Sequence, residues 1–66
     1  MKLIEIVNLI KSNSKIIVDL KGEVSGKPFV LEGVRLNSYL VLPYLDFEIV
    51  EVDEFNGTLQ IELRAM

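Results

Sequence analysis

Six carboxylates, Asp46, Glu48, Glu51, Asp53, Glu54 and Glu62, crowd the C-terminal part of a 66-residue chain. Hard cations such as Ca²⁺ and Mg²⁺ take carboxylate oxygens, so a cation site is one chemistry such a group could perform. The glycine and the ligand spacing of a calcium loop are missing, however. A second reading is a surface that imitates the charge of nucleic acid and occupies a basic groove on another protein. The plainest is a hydrated sheet face whose charges discourage edge pairing. A phosphate cradle is the other chemistry suggested by spacing, at Gly22-Glu23-Val24-Ser25-Gly26-Lys27-Pro28. Three residues separate its glycines where the phosphate-binding loop has four, Pro28 replaces the hydroxyl residue, and strand-like sequence follows where a helix is needed. It reads as an ordinary strand connection. Lys11, Lys15, Lys21, Lys27 and Arg35 could meet nucleic-acid phosphates. Only Phe29 lies among them to stack on a base, so nucleic-acid binding is disfavoured.

The chain contains no histidine and no cysteine. The usual nucleophile-and-base pairs and most transition-metal sites are therefore excluded. We expect no enzyme, no catalytic or metal site and no cofactor, because so small a fold rarely encloses a pocket with convergent polar groups.

The strongest interaction signal is apolar. Leu36-Asn37-Ser38-Tyr39-Leu40-Val41-Leu42-Pro43-Tyr44-Leu45 carries two tyrosines and no charge, in a chain that is 26% charged overall. Tyrosine buries its ring while its hydroxyl stays wet, which suits an interface. The same residues could instead close the open end of a core. Supply favours the interface: half of the residues are hydrophobic, while a domain of this size buries only about 60% of the surface its unfolded chain exposes. Its core would hold only about 3–5 kcal/mol without a staple. With disulfide and zinc excluded, self-association is the staple left. Tyr39, Leu40, Leu42, Tyr44 and Leu45 are the candidate interface. A homo-oligomer, with a dimer favoured, is the expected assembly.

The elements that position these residues follow from periodicity. Leu3, Ile6, Val7 and Ile10 fall at i, i+3, i+4 and i+7, predicting a helix over residues 2–12. Ile4 and Leu9 widen its apolar arc. Ser12-Asn13-Ser14 supplies turn chemistry. From Lys15 the period is two, with Ile16, Val18 and Leu20 on one side, which predicts a first strand. Lys21 to Lys27 is a glycine-bearing connection, and Pro28 opens a second strand, Phe29 to Val34. Gly33 marks a bulge or a close backbone approach. Residues 36–45 form a helical turn ending by Leu42, a turn starting at Pro43, or a short strand, since Pro43 cannot sit inside an α-helix. Asn56-Gly57 predicts a two-residue type I′ hairpin. Phe55 would then face Thr58, Val52 would face Ile61, and Val50 would face Leu63. Glu51 opposite Glu62 is mildly unfavourable in that register, so a longer loop with a shifted register is the alternative.

The balance of charge is uneven. Residues 1–35 hold six Lys/Arg against four acids, while residues 36–66 hold six acids against Arg64 alone. Such a split can orient a partner or a second copy. No apolar run reaches the ~18 residues of a membrane span. Glu5 and Asn8 interrupt the apolar start, no small-residue cleavage site follows it, and the absence of cysteine fits a reducing compartment. A cytoplasmic protein is expected.

An N-terminal Leu/Ile helix followed by "KIIVDL", "FVLEGV", a short apolar segment with proline, "FEIVEV" and "NGTLQIEL" resembles small αββαββ proteins encoded by phages of Gram-positive bacteria. That resemblance implies an accessory protein in the host cytoplasm, acting as a dimeric inhibitor of a host or defence protein. "VDLKGEVSG" and "LNSYLVL" are also similar to segments of Sm-like RNA-binding proteins, which would imply a helix plus five-stranded barrel, an RNA-binding ring, and an RNA contact at Asn37.

The expected architecture is one α+β domain over residues 1–66. Its helix lies on one face of a four-stranded, mainly antiparallel sheet, and residues 36–45 cross between the middle strands. The expected core is Leu3, Ile6, Val7, Ile10, Ile16, Val18, Leu20, Phe29, Leu31, Val50, Val52, Leu59, Ile61 and Leu63.

Overall fold

The computed structural model describes residues 1–65, apart from the side chain of Asn13. Helix α1 (Leu3–Leu9) leads through a 3-10 turn, η1 (Asn13–Lys15), into strands β1 (Ile17–Val24) and β2 (Lys27–Arg35). A second 3-10 helix, η2 (Tyr39–Tyr44), precedes β3 (Glu48–Phe55) and β4 (Thr58–Arg64). The four strands form one mixed sheet in the order β2-β1-β4-β3. Its two hairpins are antiparallel and its central pair, β1 with β4, is parallel. The α+β class holds. The five strands of the Sm-like alternative do not appear among the described residues.

Residues 36–45 cross between the second and third strands as expected. The strands in the middle of the sequence, β2 and β3, are the two edges of the sheet, so the chain between them crosses its full width. Leu36 opens the crossing by donating its amide to the Ile16 carbonyl at 2.9 Å, and Phe47 ends it with its carbonyl 3.0 Å from the Leu3 amide.

Helix α1 stops earlier than its apolar stripe predicts. Ile10 is already extended (φ −92°, ψ 108°), although its amide still reaches the Ile6 carbonyl. Ser12 and Ser14 carry hydroxyls of the kind that compete with a helical ladder. At the other end the Glu5 carboxylate accepts from the Lys2 amide at 3.1 Å, satisfying one donor at the helix start.

The hairpin at Asn56-Gly57 forms as predicted, with φ of 52° and 81°, the signs a type I′ turn needs. The first hairpin is built the same way. Ser25 (φ 54°) and Gly26 (φ 78°) make its turn, so the presumed long connection from Lys21 is mostly strand. Strand pairing runs out to Val24 opposite Lys27. Gly33, at φ 65°, lies at the bulge where the register against β1 shifts. Its amide donates to Asp19 Oδ1 at 2.8 Å.

Leu3, Val18, Leu20, Leu36, Val41, Ile61 and Leu63 are the buried core. Ile6, Val7, Ile10, Ile16, Phe29, Leu31 and Leu59 pack against it as expected, joined by Val34, Tyr44, Leu45, Phe47 and Ile49. Val50 and Val52 are not core. A second bulge lies between Ile49 and Glu51, so Ile49 rather than Val50 faces Leu63. Val52 does face Ile61, but on the edge strand it is 43% exposed. A helix of seven residues is roughly 10 Å long and cannot cover every strand.

Phe29, Tyr44 and Phe47 close one end of the core. The rings of Phe29 and Tyr44 stack with centroids 4.5 Å apart, and Phe47 meets Tyr44 edge-on at 5.3 Å. Gly22 makes room for them, since a Cβ there would lie 2.9 Å from Phe29 Cε1 and overlap the Leu63 carbonyl oxygen.

Candidate functional site

Residues 36–45 are divided between the inside and the outside of the molecule. Ser38 starts η2 by accepting the Leu40 amide on its Oγ at 3.1 Å, the N-cap interaction that short hydroxyl side chains provide. The segment is a 3-10 helix that contains Pro43. Its i→i+3 ladder avoids the clash with the carbonyl four residues back that excludes proline from an α-helix. With three residues per turn, Val41 and Tyr44 share the inner side. Val41 is buried, while Tyr44 and Leu45 are half-buried against the core. The outer side carries Tyr39, 76% exposed, Leu42, 62% exposed, and Leu40, 40% exposed.

The start of helix α1 lies next to the end of η2. Ile4 is also exposed, and its amide donates to the Leu45 carbonyl at 3.0 Å, fastening α1 to the end of η2. By helical geometry Ile4 and Leu9 flank the buried stripe on opposite sides, and Leu9 is 70% exposed. Five large apolar side chains thus project from the helical layer: Tyr39, Leu40, Leu42, Ile4 and Leu9. Tyr44 and Leu45 belong to the same segment but serve the chain's own core.

The other sheet face is open; most of its side chains are charged, but it also exposes Val30 and Phe55. Pairing places Glu51 opposite Glu62, with Lys21 beside Glu62 on β1. The neighbouring row holds Asp53, Gln60 and Asp19, and the row beyond Glu51 holds Glu48, Arg64 and Glu23. Four of the six acidic candidates, Glu48, Glu51, Asp53 and Glu62, therefore share this face, while Asp46 lies exposed in the turn before β3. Glu54 lies opposite Leu59, on the other side, and its Oε1 accepts the Gly57 amide at 3.0 Å, bracing the turn. Glu48 is also engaged, since its Oε2 meets the Met1 amino group at 3.1 Å. The carboxylates are spread along strands, and no group of three candidate ligands converges on a metal position among the described residues.

Grooves on this face are shallow. One of about 200 Å³ is lined by Asp19, Lys21, Val30, Glu32 and Gln60; another of about 320 Å³ is lined by Gly22, Glu23, Val50, Glu62 and Arg64. Both lie at or below the lower end of the size range for small-molecule sites. The phosphate-loop-like stretch contributes a tight hairpin turn between strands and no helix start. Of the basic residues, Lys11, Lys15 and Arg35 lie where α1, β1 and β2 meet, and Arg35 donates to the Ser14 carbonyl at 3.0 Å. Lys21 stands on the open face and Lys27 at the opposite end of β2, so the five do not form one surface. Asn37 is exposed beside η2.

Compared with known proteins, the chain matches no family model, no curated protein and no solved structure. No helix among the described residues is long and apolar enough to cross a membrane.

Proposed function

We propose that this chain is a non-enzymatic protein-binding protein whose docking surface is the outer side of η2 with the adjoining part of α1. The observation that carries this reading is the outward pointing of Tyr39 and Leu42 on a segment that holds no charged residue. Large apolar side chains standing together in water mark interaction sites. Aromatic and aliphatic anchors at the centre of a contact with polar groups at its rim are how protein interfaces gain affinity. Inhibition of a host or defence protein, the role implied by the phage-protein resemblance, is the specific form this activity takes in our proposal.

A paired capture tests it. Tagged wild-type chain and Leu42→Glu, both checked as folded by circular dichroism, are exposed to one extract of the source cells. A protein retained by the wild type and lost from Leu42→Glu is the expected result. Identical captured proteins for both would show that this surface is not the one used.

A further inference from the structure

Separately from the η2 surface, we infer that the open sheet face is a second docking surface, and that its occupant is a segment of another protein carrying arginine between apolar residues. The segment lies over the β3–β4 half of the face, with its guanidinium among Glu51, Asp53 and Glu62.

Strand register assembles that half. Glu51 stands opposite Glu62 and Asp53 opposite Gln60, and with Lys21 these residues line one groove of about 150 Å³. Exposed apolar side chains flank it along β3. Val50 shares a neighbouring groove with Glu62 and Arg64, and Phe55, 62% exposed, ends the strand two residues beyond Asp53. Val30 is exposed on the far side of Lys21, on β2. The face also holds cations, since Lys21 lies beside Glu62 and Arg64 beside Glu48. Counting both, its three charged rows still set six carboxylates, Asp19, Glu23, Glu48, Glu51, Asp53 and Glu62, against two cations. Among the described residues the one ion pair is that of Glu48 with the Met1 amino group. Glu51, Asp53 and Glu62 are therefore not neutralised within the chain.

Charge and reach select the occupant. A face with this balance attracts a basic segment and repels an acidic one. Side chains directly opposite on neighbouring strands start about 5 Å apart, and alternate residues of one strand about 7 Å apart. Carboxylates so spread do not converge on a metal position, but a planar guanidinium, with donors on both edges of a rigid fork, can bridge two of them. Lys21 sets the side of the face that is used. It repels a cation placed over β1, which leaves the β3–β4 half to the arginine and Val30, Val50 and Phe55 to its apolar neighbours. The like-charge pair Glu51 and Glu62 costs the free sheet stability, and a bound guanidinium relieves that cost.

A short fluorescein-labelled peptide rich in arginine and leucine, titrated with the full chain and followed by fluorescence anisotropy, tests the inference. The wild type is expected to bind it, several-fold more weakly at about 300 mM salt than at about 50 mM, because the contact is electrostatic and partly exposed. Glu51→Gln combined with Glu62→Gln is expected to weaken binding roughly tenfold or more, yet to unfold at the same temperature as the wild type or a higher one, because the like-charge pair is gone. Phe55→Ser is expected to weaken binding as well. Glu5→Gln combined with Asp46→Asn makes the same change of net charge on α1 and in the turn before β3, and should bind like the wild type. No binding by the wild type, equal losses in the two double variants, or equal binding of a peptide with glutamine in place of arginine overturns the inference. Leu42→Glu is expected to bind the peptide as the wild type does, so a capture indifferent to Leu42→Glu overturns the η2 reading and leaves this contact standing.

Discussion

Gly22 acts through the side chain it lacks. Its position in β1 lets the Phe29 ring cross the strand and stack on Tyr44. Gly22→Ala is therefore expected to destabilise the fold by about 1–3 kcal/mol, the usual cost of overpacking a filled site. Thermal unfolding checks this. In a domain this small each kcal/mol corresponds to about 4–8 °C, and an unchanged midpoint would show that the strand can move aside. Val50 and Val52 test the revised core in the opposite sense. Val50→Thr and Val52→Thr should each stay within about 0.5 kcal/mol of the wild type, whereas Leu20→Ala, at a fully buried site, should lose about 2–5 kcal/mol. Twelve of the predicted core residues were legible because period-two and helical spacing report which side a residue faces. Spacing says nothing about where the cover ends, and Val52, in register with Ile61, lies beyond it on the edge strand. Nor does alternation reveal a bulge, which moved Val50 aside and brought Ile49 to Leu63.

At the scale of elements, η2 has two functions that its sequence does not separate. Its inner residues close the core and its outer ones reach solvent, so substitutions on the two sides should behave differently. Tyr44→Glu puts a charge beside the Phe29 and Phe47 rings and is expected to lower the unfolding temperature by 10 °C or more, on the order of 2 kcal/mol in so small a domain. Leu42→Glu should leave that temperature nearly unchanged. Equal losses for both would contradict the division between sides. Ser38→Ala, which removes the acceptor for the Leu40 amide, should cost about 0.5–2 kcal/mol by analogy with N-caps of α-helices. The Asn56-Gly57 hairpin was legible to the residue, because few sequences satisfy two positive φ angles. Ser25-Gly26 carries the same information more weakly, because serine adopts a positive φ less readily than asparagine. The form of residues 36–45 was not legible: proline excludes an α-helix through Pro43, but a 3-10 helix accepts it.

For the whole molecule, strand order decides what the surface offers. Placing β1 beside β4 puts the strands that carry the buried Val18, Leu20, Ile61 and Leu63 in the centre and leaves β2 and β3 as edges. Lys15 and Arg35 then lie at the end of the sheet where the β3–β4 hairpin turns, since Ile17 pairs with both Arg35 and Thr58. The helical cover is thin, a seven-residue α1 and a six-residue η2, so a chain that is half hydrophobic keeps large apolar side chains outside on the same layer that closes its core. The surplus was legible in the composition. Its division, with Tyr44 and Leu45 turned inward and Tyr39, Leu40 and Leu42 outward, depends on the pitch of η2 and on its docking to α1. Amide resonances of the isotopically labelled chain, followed by dilution from several hundred micromolar, test most directly the expectation that any self-association runs through the outward side of η2. The expected shifts cluster at residues 39–42 and around Ile4, with β2, β3 and the open face unmoved. Spectra independent of concentration, or shifts centred on Val50 to Phe55, would contradict it.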